Sequence, residues 1–150
     1  MALSLQEMSD RFEIQDLITA YCYAVDTGDF DALDACFTPD AVIDYSEMVG
    51  VKGSLEEIKA FLTQSLGAVQ AYLHAVSTTQ YVIAGDTART RTAVYNPMQI
   101  DDNGAPRVMV FNLWYHHEYR RTDAGWRISL LREQACISEN VPDWVKALTQ

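Results

Sequence analysis

Positive charge is scarce in this sequence. Its 11 lysines and arginines stand against 21 aspartates and glutamates, a formal net charge of -10. No basic run exists to neutralise phosphates and release their counterions, which argues against a nucleic-acid or anionic-lipid partner. Cysteine is also sparse. Cys22, Cys36 and Cys136 are odd in number and widely spaced, which fits neither a disulfide framework nor a zinc site, so buried thiols are expected. No apolar run reaches the ~18 residues of a membrane span, and Met1-Ala-Leu-Ser-Leu-Gln-Glu7 lacks the charged start and apolar stretch of a secretion signal. A cytoplasmic location without membrane contact is the expectation. Nucleophile-elbow, phosphate-loop, dinucleotide and HExxH fingerprints are absent, so no cofactor is implied. The neighbours His116 and His117 point to opposite faces of any strand that carries them, and no metal is expected there.

What is present organises itself around Tyr21-Cys-Tyr-Ala-Val-Asp26-Thr-Gly28-Asp29-Phe30. Ile14, Leu17, Ile18, Tyr21 and Val25 recur at helical spacing, giving an amphipathic helix over 9–26 with Ser4 or Ser9 as its cap. Gly28 suits the left-handed position past its end, and Asp29 suits the cap of a second, shorter helix over 30–37. Asp26 falls in the last turn, where the helix dipole disfavours an acid unless solvent or a partner offsets it. Thr38-Pro39-Asp40 reads as a breaker, 41–45 as a strand, and 50–53 as a turn with a short strand nearby. Ser54 and Glu57 form a capping box opening a helix to Leu66. Four segments rich in Val, Thr, Tyr and Trp follow, over 74–83, 87–100, 107–121 and 126–134, separated by Gly85-Asp86, Asp102-Asn-Gly104 and Asp123-Ala-Gly125. Helices first and an antiparallel meander afterwards define an α+β domain with a curved sheet closed over by the helices. Residues 1–150 are read as one domain with a core over 9–137; 138–150 are a tail or short helix.

Strand parity places Met109, Phe111, Leu113, Tyr115, His117 and Tyr119 on one face and Val108, Val110, Asn112, Trp114, His116 and Glu118 on the other. Both faces carry large apolar groups, so a second subunit is expected to cover one of them. His74 opens the first long strand. A carboxylate on one imidazole nitrogen leaves the other to act as a general base, and Asp26 is the acid whose position otherwise lacks a reason. Asp44 competes, but it alternates with Tyr45, so at most one of the two faces inward. Tyr21, Tyr23, Tyr45, Tyr95 and Tyr115 lie on converging elements and supply phenols that could donate to a developing oxyanion, as could Asn96. Pro97 is expected to interrupt its strand or mark an edge. Arg132 shares parity with Trp126, Ile128 and Leu130, and either reaches inward to an acid or an anionic substrate or is a surface charge.

The corner at Asp26-x-Gly28-Asp29-Phe30, the run Ile43-Asp44-Tyr45, His74 at the head of its strand, Gly85-Asp86-x-Ala88 and the closing Asp123-Ala-Gly-Trp-Arg-Ile128 together resemble the SnoaL-like branch of the nuclear transport factor 2-like superfamily. In pattern the chain is similar to scytalone dehydratase and bile acid 7α-dehydratase. The resemblance implies a cone-shaped α+β barrel with a small-molecule ligand inside, assembled as a dimer or trimer. It implies that His74 and Asp26 match the catalytic histidine and its orienting aspartate, that Tyr45 matches a tyrosine polarising the substrate carbonyl through water, and that Tyr21 matches a substrate-contacting tyrosine. Val25 and Asn96 stand where scytalone dehydratase has a second tyrosine and a second histidine, so the acid for the leaving group is left unassigned. The resulting expectation is a cofactor-independent lyase removing water or a carbonyl fragment from a hydrophobic, hydroxylated aromatic or polycyclic molecule. Its catalytic residues would be His74, Asp26 and Tyr45, with Tyr21, Asn96, Tyr115, Arg132 and Phe111 binding substrate. An isomerase or cyclase using the same base, a non-catalytic ligand-binding protein and the small subunit of a ring-hydroxylating dioxygenase are the alternatives.

Overall fold

The computed structural model describes residues 2–147. The first helix, α1 (Leu5–Thr27), starts at Ser4, whose hydroxyl accepts the Glu7 N–H, and buries Ile14, Leu17, Ile18, Tyr21 and Val25. Gly28, at φ 71°, ends it by returning its N–H to the Val25 carbonyl. Asp29 then caps the next element by accepting the Ala32 N–H, but the six residues Phe30–Ala35 wind as a tighter 3-10 helix rather than an α-helix.

Among the described residues, seven strands form one sheet. They are β1 (Phe37–Tyr45), β2 (Val51–Gly53), β3 (Ala71–Tyr72), β4 (Ala75–Ala84), β5 (Thr87–Asp102), β6 (Ala105–Thr122) and β7 (Gly125–Glu139). The order is β2-β1-β7-β6-β5-β3, with β4 also on β5; β1 runs parallel to β7 and the other pairings are antiparallel. The strand path does not return on itself, so the cone is an open, curved sheet closed by helices rather than a sealed barrel. Between strands lie α2 (Ser46–Val49), a single turn with no sequence signal, and α3 (Leu55–Leu66), which the Ser54–Glu57 capping box starts. The final α4 (Asp143–Lys146) follows β7; residues 148–150 of the expected terminal helix or tail lie outside the described residues.

Two prolines depart from expectation. Pro39 lies inside β1 instead of breaking it, at the point where register against β7 shifts between Phe37 and Val42, so irregular pairing absorbs its missing N–H. Pro97 lies in the middle of β5, paired with Val110 of β6. On its other side the neighbouring strand is broken between β3 and β4, and the Leu73 carbonyl, which receives no N–H from a proline, instead accepts the Asn96 side-chain amide at 2.8 Å. That break sets the position of His74. The Asn103-Gly104 hairpin has both residues at positive φ, the backbone that a two-residue turn requires.

The core lies between α1 and the concave face of β5, β6 and β7. The inner-facing set on β6 is the expected one: Met109, Phe111, Leu113, Tyr115, His117 and Tyr119 are all buried. Asp10 on α1, 3% exposed, joins helix to sheet by accepting from Arg121 at 2.9 Å and Trp126 Nε1 at 3.1 Å. Cys22 and Cys36 are buried, and burial pushes the Cys22 thiol up to about 12. Cys136 is exposed, contrary to expectation, because it lies where β7 shifts register against β6 between Ala135 and Ile137. No helix among the described residues is long and apolar enough to cross a membrane.

Candidate active site

Termination of α1 at Gly28 directs Asp26 toward the break between β3 and β4. There it accepts two hydrogen bonds from one residue: the His74 backbone N–H at 2.9 Å and the His74 ring, with Nδ1 2.6 Å from the carboxylate. These donors offset the cost of an acid at a helix C-terminus. A carboxylate only accepts, so the proton of this pair lies on Nδ1, and in the neutral imidazole it is Nε2 that carries the lone pair. The His74 side chain is 8% exposed and that of Asp26 21%. The segment is clamped on both sides, since the Tyr72 hydroxyl donates to the Val25 carbonyl at 3.0 Å and Asn96 holds Leu73. Tyr115 stacks against the His74 ring at 6.5 Å.

His74 borders a cavity of about 420 Å³. Its walls are mostly apolar, with Met98, Ile100, Met109 and Phe111 from the sheet, Phe61, Leu62 and Leu66 from α3, and Trp144 and Val145 from α4. Tyr21 and Tyr45 also line it, their hydroxyls 2.6 Å apart. In such a pair one phenol donates and the other retains an O–H for a third oxygen. Burial pushes both phenols up from their ordinary range, so both stay neutral donors.

Of the residues singled out from sequence, His74, Asp26, Tyr21 and Tyr45 come together, and Phe111 lines the cavity wall. Asn96 also lines it, but one amide hydrogen is committed to Leu73. Tyr115 is fully buried outside the lining, backing His74 and meeting Tyr21 edge-on at 5.8 Å. Tyr23 and Tyr95 do not converge with the others and are 68% and 48% exposed. Asp44 turns to Ser46 and Lys52, leaving the inward position to Tyr45. Arg132 points away from the cavity and pairs with Glu47. The reason is a bulge: Tyr119 pairs with Ile128 but Glu118 with Leu130, so Ser129 is an extra residue and the alternation flips beyond it.

The same flip turns Glu133 inward, a residue the sequence reading missed. Glu133 lines the cavity, and its carboxyl makes no hydrogen bond or ion pair with the described residues. It is partly buried at the cavity wall. Burial, with a smaller contribution from Asp44, pushes it up to about 8. Nothing in the sequence marks the bulge; only an unbroken alternation through Arg132 was available to extrapolate.

A long helix over an open curved sheet, with a polar constellation at the wall of an apolar cavity between them, defines the nuclear transport factor 2-like cone fold. Within it the chain belongs to the SnoaL-like domain family, whose profile matches residues 6–132. An uncharacterized protein of Mycobacterium tuberculosis (strain H37Rv) is 40% identical over 137 residues, covering 91% of this chain and 92% of the relative. A Novosphingobium aromaticivorans crystal structure provisionally described as an aromatic ring hydroxylase is 32% identical at a TM-score of 0.80, covering 89% of this chain and 94% of that one. Another from the same organism, provisionally described as a scytalone dehydratase, shares the fold at a TM-score of 0.79 and 14% identity, covering 90% and 89%.

Proposed function

We propose that this protein is a cofactor-independent lyase of the cytoplasm that acts on a neutral, hydrophobic, hydroxylated aromatic or polycyclic molecule. The observation that carries this reading is the placement of His74: Asp26 engages Nδ1 at 2.6 Å while the ring borders an apolar cavity. Asp26 fixes the tautomer, and Nε2 removes a proton from carbon or from a substrate hydroxyl. The Tyr21–Tyr45 pair donates to the carbonyl oxygen as it gains negative charge, and the apolar walls exclude competing water. Binding is driven by burial of the apolar substrate body, at about 25 cal/mol per Å². Loss of water and retro-aldol cleavage both begin with this base, whereas an isomerase using it would retain every substrate atom.

The aldol of benzaldehyde and acetone separates these outcomes. Benzalacetone reports loss of water and benzaldehyde reports carbon–carbon cleavage. His74→Ala is expected to abolish turnover while ligand affinity changes only a few-fold. Unchanged turnover in that variant would remove His74 as the base, and binding without turnover in the wild type would leave a binding protein rather than an enzyme.

A further inference from the structure

Loss of a hydroxyl from a neutral substrate needs a proton for the departing oxygen, and neither His74 nor a phenol held neutral by burial is suited to surrender one early in the reaction. We propose that Glu133, on the inner face of β7, is the carboxylic acid that protonates the leaving hydroxyl while His74 takes the proton from carbon. This rests on the base reading above and names the group that makes that site a dehydratase.

Position carries the assignment. Glu133 stands directly opposite Tyr115 in the β6–β7 ladder, and residues so paired have Cβ atoms ~5 Å apart. The Tyr115 ring stacks on His74 at 6.5 Å and meets Tyr21 at 5.8 Å, and Tyr21 is bonded to Tyr45. Across the sheet the order is therefore His74, Tyr115, Glu133, Tyr45, with base and acid reaching inward from either side of one phenol. Strands lie ~4.8 Å apart and β5 and β6 stand between, so the two backbones are at least about three spacings from each other, and both side chains line the one cavity.

A structural carboxyl in such surroundings is normally paired or hydrogen-bonded, and Glu133 is neither. The charged and titratable groups around it are Asp44 and Tyr45 from β1, Tyr21 from α1 and Tyr115 from β6. The nearby cations are spoken for elsewhere, Lys52 by Asp44 and Arg132 by Glu47. Near neutrality the acid therefore holds its proton, consistent with the elevation to about 8.

The step balances. The carbon–hydrogen pair becomes the new double bond as Nε2 of His74 takes the proton, the carbon–oxygen pair leaves with the hydroxyl, and Glu133 supplies the proton that makes it water. His74 then carries a proton and Glu133 a charge; proton return through solvent restores both.

Two probes separate base from acid. Benzylacetone has exchangeable hydrogens beside its carbonyl but no leaving group, so deuterium uptake reads the base alone; dehydration of the benzaldehyde–acetone aldol needs both groups. Glu133→Gln should retain exchange within a few-fold, lose dehydration by about a hundredfold or more, and lose the decline in wild-type dehydration above about pH 8. His74→Ala should lose both reactions. Dehydration and its alkaline limb unchanged in Glu133→Gln overturn the acid assignment, whereas both reactions surviving in His74→Ala overturn the base reading instead. A third measurement needs no turnover. The infrared difference between wild type and Glu133→Gln at neutral pH should show a protonated carboxyl band that moves when benzylacetone binds. A carboxylate band, or one indifferent to the ketone, overturns the proposal.

Discussion

His117 gives a test of the buried interior that needs no substrate. It is 1% exposed on the inner face of β6, between the rings of Tyr115 and Tyr119, and its Nε2 has no partner. Burial, with a smaller contribution from His116, pushes the imidazole from the ordinary 6.5 down to about 3. The folded value is the depressed one, so below about pH 6.5 the unfolded chain binds a proton that the folded chain refuses. Stability should fall by about 1.4 kcal/mol for each unit of acidity until about pH 3. Between pH 6.5 and 4.5, where the slope starts at half its full value, this amounts to roughly 2 kcal/mol from one residue. His117→Phe keeps a ring of similar shape, and Thr90 retains its 2.8 Å bond to the Tyr119 hydroxyl, so no polar group is orphaned. Urea unfolding followed by tryptophan fluorescence at the two pH values should show the wild type losing about 2 kcal/mol more than the variant, with carboxylate contributions cancelling in the comparison. Equal losses in the two proteins would refute a neutral buried imidazole.

Asp10→Ala should cost about 2 kcal/mol, because it leaves Trp126 Nε1 without its acceptor while Arg121 keeps only Asp86, and should lower the melting temperature by roughly 5 °C in calorimetry. Tyr21→Phe removes one member of the phenol pair and should reduce kcat ten- to a hundredfold with KM changed little, a split that steady-state kinetics resolves. Tyr95, Val108 and Ile137 are about half exposed or more on the outer sheet face. A homo-oligomer packed on that face should become monomeric by light scattering in a Val108→Glu, Ile137→Glu double variant; a wild-type monomer at every concentration contradicts it.

Periodicity carried the architecture wherever the chain obeys one period. The buried stripe of α1, the alternation of β6 and the glycine that ends the first helix are local features, and local chemistry decides them. The pairing of Asp26 with His74 was accessible for a related reason: a carboxylate in a last helical turn needs a donor, and the histidine heading the sheet was the candidate. What escaped depends on neighbours in space. The bulge at Ser129 arises from pairing between β6 and β7, and it exchanged Arg132 for Glu133 at the cavity wall. Pro39 and Pro97 are tolerated because the strands beside them shift or break, which no single-strand reading shows. The outward turn of Tyr23 on a helix whose buried stripe runs through Tyr21 and Val25 follows from helical spacing, and grouping it with the inner phenols disregarded that spacing.

The most direct measurement of the central pairing is long-range proton–nitrogen NMR of the His74 ring near neutral pH. An imidazole held by Asp26 should show its proton on Nδ1 and a bare Nε2 toward the cavity, with that preference lost in Asp26→Asn. A proton on Nε2 in the wild type, or the same tautomer in both proteins, would contradict the account.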